Sequence, residues 1–286
     1  MNRLPVRKTY KLYINGEFPR TESGRFYPVY SGEGNALLAN ACRGSRKDLR
    51  NAVVAARKAL SGWSGRTAYN RGQILYRIAE VLESRAAELE EELRRVGISK
   101  GNARKELESS IDRWVYYAGW ADKYTHLLGS VNTVSGPYYN FTFPEATGVV
   151  GVVAPETPAL LGLVSRIAPA IVGGNTVVAL ASEARPLAAI TMGEIFETSD
   201  VPAGVINLIS GLKKELVPWL AAHMDVNSID VSGVEDESVR RAAEEAAAEN
   251  VKRVVGAGHR EGDREASLYA IAEFLEMKTV WHPVGV

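Results

Sequence analysis

The sequence predicts an α/β fold in which a doubly wound parallel sheet follows a set of helices, with a small separate β element. In the middle of the chain, short apolar runs rich in β-branched residues alternate with segments of helical periodicity. The first third shows helical periodicity, and two β-rich runs flank a Ser-Gly-Pro sequence at 135–137. The chain has 286 residues, of which 46% are hydrophobic, so it is long enough to bury a sizeable core.

Helical patterns dominate the first third of the chain. Ser45 is a candidate N-cap with Asp48 three residues later, and apolar residues follow at helical spacing. A second, longer pattern runs from Leu75 to Leu93, and its charged outer face is typical of a solvated helix. A third helix is predicted over residues 103–124.

The middle of the chain alternates between strands and helices. Strands are predicted at 149–154, 176–180, 205–210, 228–231 and 251–255. The helices between them are predicted at 160–172, 187–198, 218–224 and 237–250. Repeated β-α-β units with short turns require a parallel sheet that is covered on both faces. The sequence therefore predicts a Rossmann-like doubly wound domain.

A second, smaller unit is predicted from the β-rich run at 130–143 and the end of the chain. Met277, Thr279 and Trp281 alternate with Lys278 and Val280, as expected for a strand. We expect this strand to pair with the hairpin at 130–143. Met277, Thr279 and Trp281 are the predicted interface residues, with Trp281 as the anchor unless that side chain closes the core of its own monomer. The predicted division is then 1–129 with 144–258 as one unit, and 130–143 with 268–286 as a small β oligomerisation element.

Composition excludes several classes of protein. The 34 basic and 34 acidic residues give no net charge, so no basic field would attract a nucleic acid. The single cysteine, Cys42, excludes an internal disulfide or a cysteine-cluster metal site and fits a cytoplasmic location. The most apolar stretch, 148–174, is interrupted by Glu156, Arg166 and three prolines, so we expect no membrane span. The four histidines lack metal-ligand spacing, so no metal site is expected, and the N-terminus has no apolar region typical of a secretory signal.

The chemistry of a dinucleotide site is poorly served by these residues. No GxGxxG sequence follows a predicted strand. Gly233 follows the fourth strand, but the acidic run 235–237 comes directly after it and would repel a pyrophosphate at the start of the next helix. Ser182 and Glu183 end the second strand and either face a cleft or cap a helix. Cys42 is interpreted as an incidental or buried thiol.

Two long runs resemble the cofactor domain of the NAD(P)-dependent aldehyde dehydrogenases. They are GVVGVVAPETPALLGLVSRIAPAIVGGNTVVALASEARP at 148–186 and DVPAGVINLISG at 200–211. The resemblance implies the fold of that domain over most of the chain. In that family a catalytic domain follows the cofactor domain, whereas here ENVKRVV leads almost directly to EFLEMKTVW, which resembles the family's C-terminal oligomerisation strand.

The resemblance also implies which site features are kept. The family's catalytic cysteine lies in the domain that is missing here, so no catalytic residue is assigned. Residues 255–258 occupy the position of the family's glutamate base. Leu180 aligns with the lysine that reaches the cofactor ribose, and Ser238 with the second glycine on the phosphate side. The cofactor-binding positions that remain, as a vestigial site, are Pro155, Glu183, Gly211 and Gly233.

Further motifs resemble the non-catalytic second module of fused bacterial aldehyde dehydrogenases of the family-sixteen type. They include KLYINGEFPR, RKDLRNAVVAARKA, TAYNRGQILYRIAE and WADKY. The resemblance therefore implies a pseudoenzyme that associates with a catalytic aldehyde dehydrogenase subunit or with itself through the β element. An active NAD(P)-dependent oxidoreductase and a small-ligand binding module are the alternatives. No cofactor is expected beyond weak or vestigial NAD(P) binding, and no nucleic acid or membrane partner is expected.

Overall fold

The computed structural model describes residues 7–32, 36–256 and 266–285. The helices are α1 Arg46–Ser64, α2 Ala68–Ser84, α3 Ala86–Arg95, α4 Lys100–Trp120, α5 Tyr124–Leu128, α6 Ala159–Val172, α7 Leu187–Glu197, α8 Lys213–Ala222, α9 Glu237–Ala248 and α10 Leu268–Ala272. The strands are β1 Thr9–Tyr10, β2 Phe26–Tyr30, β3 Leu37–Cys42, β4 Ser130–Asn132, β5 Tyr138–Ala146, β6 Val149–Val153, β7 Thr176–Leu180, β8 Ile206–Ile209, β9 Ser228–Asp230, β10 Arg253–Val255 and β11 Leu275–Pro283. The predicted units include residues 1–6 and 286, which lie outside this description.

The central sheet has the strand order β10-β9-β6-β7-β8, and every pair in it is parallel. Its two faces pack into different apolar clusters, as alternation along β7 shows. Val177 and Ala179 belong to the cluster that contains α6, whereas Val178 and Leu180 belong to the cluster with α1 and α8. Both faces are therefore covered by helices, which confirms the predicted doubly wound α/β fold.

A three-stranded sheet in the N-terminal part was missed by the sequence analysis, which expected a helical first third. Its order is β1-β3-β2, with β1 parallel and β2 antiparallel to β3. The strand signal is weak because β1 has only two residues and β2 carries Pro28, a residue that strands tolerate mainly at edges. Tertiary contacts hold this sheet in place. Tyr13 exchanges backbone hydrogen bonds of 3.0 and 2.7 Å with Leu208 of the central sheet.

The helical patterns are confirmed with changed boundaries. Ser45 and Asp48 form a capping box at the start of α1, as predicted. The pattern from Leu75 to Leu93 is not one helix, because Arg85 has a non-helical backbone conformation and separates α2 from α3. The Arg85 guanidinium lies 2.6 Å from the Glu194 carboxylate on α7, a contact that the local pattern cannot reveal.

The small β element at 130–143 and the end of the chain forms a separate sheet with the order β11-β5-β4. The predicted pairing of the tail with the hairpin is confirmed, since β11 pairs antiparallel with β5 from Leu275 opposite Ala146 to Pro283 opposite Tyr138. In the described part of the chain, no helix is long and apolar enough to cross a membrane, and no group of three or more His, Cys, Asp or Glu residues could hold a metal ion.

A buried arginine joins three helices. Arg71 of α2 is only 6% exposed, and its guanidinium donates to the carbonyls of Val172 at 3.1 Å, Ser64 at 3.3 Å and Arg66 at 2.6 Å. Val172 and Ser64 are the last residues of α6 and α1, so the cation binds carbonyls that a helix end leaves without partners.

We expect Arg71→Ala to lower the free energy of unfolding by about 2–4 kcal/mol, because the buried carbonyl of Val172 and the partly buried carbonyls of Ser64 and Arg66 lose a charged donor at once. Urea denaturation measures the change. The matched control is Arg77→Ala on the same helix, where the exposed pair with Glu80 should contribute less than about 1 kcal/mol. Equal losses in the two variants would contradict this role for Arg71.

A buried carboxylate links the N-terminal sheet to the helices. Glu92 Oε1 accepts hydrogen bonds from the Tyr10 hydroxyl at 2.5 Å and from the Thr191 hydroxyl at 3.0 Å. Its Oε2 is buried and has no hydrogen-bond partner among the described residues. Burial raises the pKa of the Glu92 carboxyl above its ordinary value of 4.5, although both hydrogen bonds oppose that change.

We expect this raised pKa to make wild-type stability fall relative to Glu92→Gln as the pH rises above the ordinary carboxyl pKa of about 4.5. A carboxyl whose pKa is higher in the folded state contributes its full stability below the ordinary pKa, and that contribution is lost as the pH rises through the folded value. Urea denaturation at several pH values measures the difference, with Glu83→Gln on an exposed site as the control. A difference between wild type and Glu92→Gln that is independent of pH would contradict the raised pKa.

Candidate functional site

The carboxyl ends of the central strands form the crevice in which open parallel sheets usually bind ligands. A cavity of about 580 Å³ lies there, between β2 and the loops that follow β6, β7, β8 and β9. Its lining includes Tyr27, Tyr30, Glu183, Lys214, Val234 and Asp236.

An ion pair forms part of the lining of this crevice. Lys213, the first residue of α8, contacts the carboxylate of Glu156 in the loop after β6. Its ammonium group also donates to the carbonyls of Ala154 at 2.6 Å and Gly233 at 3.0 Å. The cation therefore ties the loops after β6 and β9 to the start of α8.

Glu156 is bound equally firmly on its other side. It accepts hydrogen bonds from the Ser182 hydroxyl at 2.7 Å and from the backbone N–H groups of Glu183 at 3.1 Å and Ala184 at 2.9 Å. Burial alone would raise the pKa of this carboxyl, but the Lys213 ammonium and these donors lower it below the ordinary value. Glu156 is therefore a stable anion inside the crevice.

The N-terminus of α6 carries a carboxylate from another helix. Glu106 of α4 is 7% exposed, and its Oε1 accepts from the N–H groups of Leu160 at 2.7 Å and Leu161 at 3.3 Å. These N–H groups have no partner within the helix and could otherwise bind an anion.

Carboxylates of the same chain also occupy the starts of α8 and α9. The Glu183 carboxylate accepts from the backbone N–H of Lys213 at 2.8 Å, at the start of α8. Asp236 caps α9 by accepting from the N–H groups of Ser238 at 2.8 Å and Val239 at 3.2 Å. Helix α7 has no side-chain cap, but its first residues are buried. The starts of α6, α8 and α9 thus bind internal anions, an arrangement that does not fit a pyrophosphate at those positions.

The structure brings two of the four predicted cofactor positions to the cavity, namely Glu183 and Gly233. Packing accounts for Gly233, because a Cβ there would lie 2.2 Å from the Val153 carbonyl oxygen. Pro155 is buried and does not line the cavity. Gly211 lies instead beside Gly44, where a Cβ would be 3.1 Å from the Gly44 nitrogen.

The remaining positions are accounted for by the apolar core. Leu180, at the place of the family's lysine, is 1% exposed and belongs to the core. Cys42 is 3% exposed at the end of β3, so its interpretation as a buried thiol is confirmed. Ala257 and Gly258, near the position of the glutamate base, lie outside the described residues.

Sequence reasoning missed Glu106 and Lys213, and it did not foresee the role of Glu156. Their proximity depends on strand order, which places β9 and β7 on either side of β6. A glutamate between two prolines after β6 was the one local signal for Glu156.

The predicted interface residues lie on an open sheet. Met277 is 51% and Trp281 is 59% exposed, so the alternative that Trp281 closes the monomer's own core is wrong. Trp281 contacts Tyr138 edge to face, with ring centroids 5.8 Å apart. The Thr279 hydroxyl forms a 2.9 Å hydrogen bond with the Thr142 hydroxyl.

Comparison with known proteins agrees with this fold. The model of the aldehyde dehydrogenase family matches residues 18–257. Retinal dehydrogenase 2 of Homo sapiens is 34% identical over 259 residues, which are 86% of this chain and 48% of that protein. Mitochondrial benzaldehyde dehydrogenase of Antirrhinum majus is 32% identical over 235 residues, which are 80% of this chain and 43% of that protein.

Solved structures show the same relationship. The NAD⁺ complex of an aldehyde dehydrogenase from Bacillus cereus superposes with a TM-score of 0.80 and 26% identity, over 86% of this chain and 50% of that chain. The present chain therefore spans about half the length of the relatives it matches. The family match covers most of the chain, and the chain belongs to the aldehyde dehydrogenase family.

Proposed function

We propose that this chain is a non-catalytic member of the aldehyde dehydrogenase family that acts by associating with another subunit. The observation that carries the proposal is the crevice, in which the helix starts of α6, α8 and α9 already bind carboxylates of the same chain. A family dehydrogenase needs a cofactor in this place and a reactive cysteine beside it, and both requirements bear on the proposal.

The cofactor requirement is poorly met. A pyrophosphate in the crevice would approach the anions Glu156 and Glu183, which already accept hydrogen bonds from the N–H groups of Ala184 and Lys213. Two unit charges about 5 Å apart at an effective dielectric of about 20 repel each other by roughly 3 kcal/mol. Solved relatives do hold NAD, so we propose weak binding for this chain rather than complete exclusion.

The nucleophile requirement is met no better. A cysteine attacks as an accessible thiolate, whereas Cys42 is almost fully buried at the end of a strand. Only residues 256–267 lie between β10 and α10, where the resemblance places a catalytic domain of roughly 150–200 residues. The association function instead draws support from the small sheet, whose outer strand β11 is exposed along most of its length.

Two other functions each have an observation in their favour. Family membership and the NAD complexes of solved relatives favour an active NAD(P)-dependent aldehyde oxidoreductase. The cavity of about 580 Å³ favours a small-ligand binding module. Measurements of cofactor binding and turnover distinguish an active oxidoreductase from the proposed function. A small-ligand binding module would show ligand-induced shifts in melting temperature.

Calorimetry with NAD and NADP should give dissociation constants of about 1 mM or weaker for the wild type. Glu156→Gln removes one carboxylate from the crevice, so we expect it to bind at least about tenfold tighter, while Glu80→Gln on the exposed face of α2 should behave as the wild type. Wild-type binding in the low micromolar range would show that the crevice accepts the cofactor as it stands.

Incubation with an aldehyde and either cofactor should give no NADH or NADPH, as followed by absorbance. Cys42→Ala is the matched control because it removes the single thiol of the chain. Turnover that copurifies with the wild type and disappears in Cys42→Ala, with the variant still melting cooperatively, would overturn the proposal and establish the oxidoreductase.

A further inference from the structure

The backbone of β11 has one side bound and one side open. Two hydrogen bonds bracket the strand, from the Thr147 N–H to the Phe274 carbonyl at 3.3 Å and from the Val284 N–H to the Pro137 carbonyl at 2.8 Å. In an antiparallel pair, hydrogen-bonded residues alternate with residues whose backbone groups face away. Even-numbered residues of β11 therefore bind β5, and odd-numbered residues direct their N–H and C=O groups toward the open edge.

The open edge is limited at both ends. The Leu275 carbonyl accepts a 2.6 Å hydrogen bond from the Arg253 guanidinium, and Pro283 has no N–H to donate. Three residues in between present both groups outward, namely Met277, Thr279 and Trp281. Within the described ranges β11 is the outermost strand of its sheet, so no neighbouring strand binds these groups.

We infer that this edge pairs with β11 of a second copy of the chain, antiparallel and around a two-fold axis at Thr279. In that register Thr279 pairs with Thr279 of the other copy, and Met277 pairs with Trp281 in both directions. Each such pair exchanges two hydrogen bonds, so about six form in all. The result is a continuous sheet across both copies. The inference rests on the proposed function, because it names the partner of the same edge.

Side chains favour this register. Directly opposite residues lie on the same face, so Glu276 stands opposite His282 of the second copy, and the Met277 sulfur stands beside the Trp281 ring. A carboxylate opposite an imidazole is a favourable cross-strand pair, and the two copies form it twice.

Neighbouring registers are worse. A two-fold axis at Lys278 would place two ammonium groups directly opposite each other. An axis at Val280 would place Lys278 opposite His282 and Met277 opposite Pro283, which has no N–H. Two copies of β11 related by a two-fold axis at Thr279 therefore have complementary charges and hydrogen-bonding groups. An open edge of this kind is normally covered, and a second copy would bind all three outward-facing residues.

Light scattering of Thr279→Pro tests the inference. Proline removes the outward N–H and leaves the pairing with β5 intact, as Pro283 does in the same strand. Thr279→Val is the matched control, since it also loses the hydroxyl contact with Thr142 but keeps the N–H. We expect a mass of about twice 31.1 kDa for the wild type and Thr279→Val, and a monomer for Thr279→Pro that still melts cooperatively.

Cross-linking tests the register without weakening the strand. In a Cys42→Ala background, Thr279→Cys places two thiols across the two-fold axis, at a Cα separation of about 5.5 Å that permits a disulfide. We expect mild oxidation to link these copies covalently, and Lys278→Cys to link poorly. Efficient linking of Lys278→Cys with none for Thr279→Cys would overturn the register.

Three outcomes of the sizing experiment separate the inference from the proposed function. If the wild type and Thr279→Pro are both dimers, the edge pairing is wrong. The wild type could instead be a monomer alone and form a complex with a catalytic aldehyde dehydrogenase of the same source. That result would contradict pairing with a second copy and support the proposed function. A wild type that is monomeric in both experiments overturns both.

Discussion

Backbone N–H groups at the start of a helix have no partner within the helix and need acceptors from elsewhere. In this protein the partners at α6, α8 and α9 are the carboxylates of Glu106, Glu183 and Asp236. A fourth carboxylate, Glu156, binds the loop after β7 and is itself held by Lys213. These contacts occupy the starts of α6, α8 and α9 and fix the loops around the crevice.

How far the sequence predicts this fold depends on where the partners of each element lie. The central sheet is predictable because β-branched runs and amphipathic helices carry their own periodicity. The N-terminal sheet is not, since β1 is short and Pro28 weakens the signal of β2. The break at Arg85 is equally hidden, because its partner Glu194 lies on a distant helix. Local patterns thus predict elements whose stability is local, and they miss those that depend on tertiary contacts.

The candidate site follows the same rule. Glu183 and Gly233 were identified from their positions after predicted strands and from the family resemblance, and both line the cavity. The contact between Glu156 and Lys213 joins residues far apart in sequence, and only the order of the parallel strands brings them together. Glu106 comes from a helix that no motif connects with the crevice. Glu106 and Lys213 are therefore residues that local sequence patterns could not assign to the crevice, whereas Glu183 and Asp236 could be assigned from their positions after strands.

The two ends of β11 also bear on solubility. An exposed, extended strand is a template for cross-β stacking, which typically recruits segments of roughly six or seven residues with little charge. Here Arg253 occupies the Leu275 carbonyl and Pro283 has no N–H, so the fully available stretch from Met277 to Trp281 is shorter than that, and it contains Lys278. The free edge is long enough to pair with one short strand but too short to support the growth of a cross-β fibril.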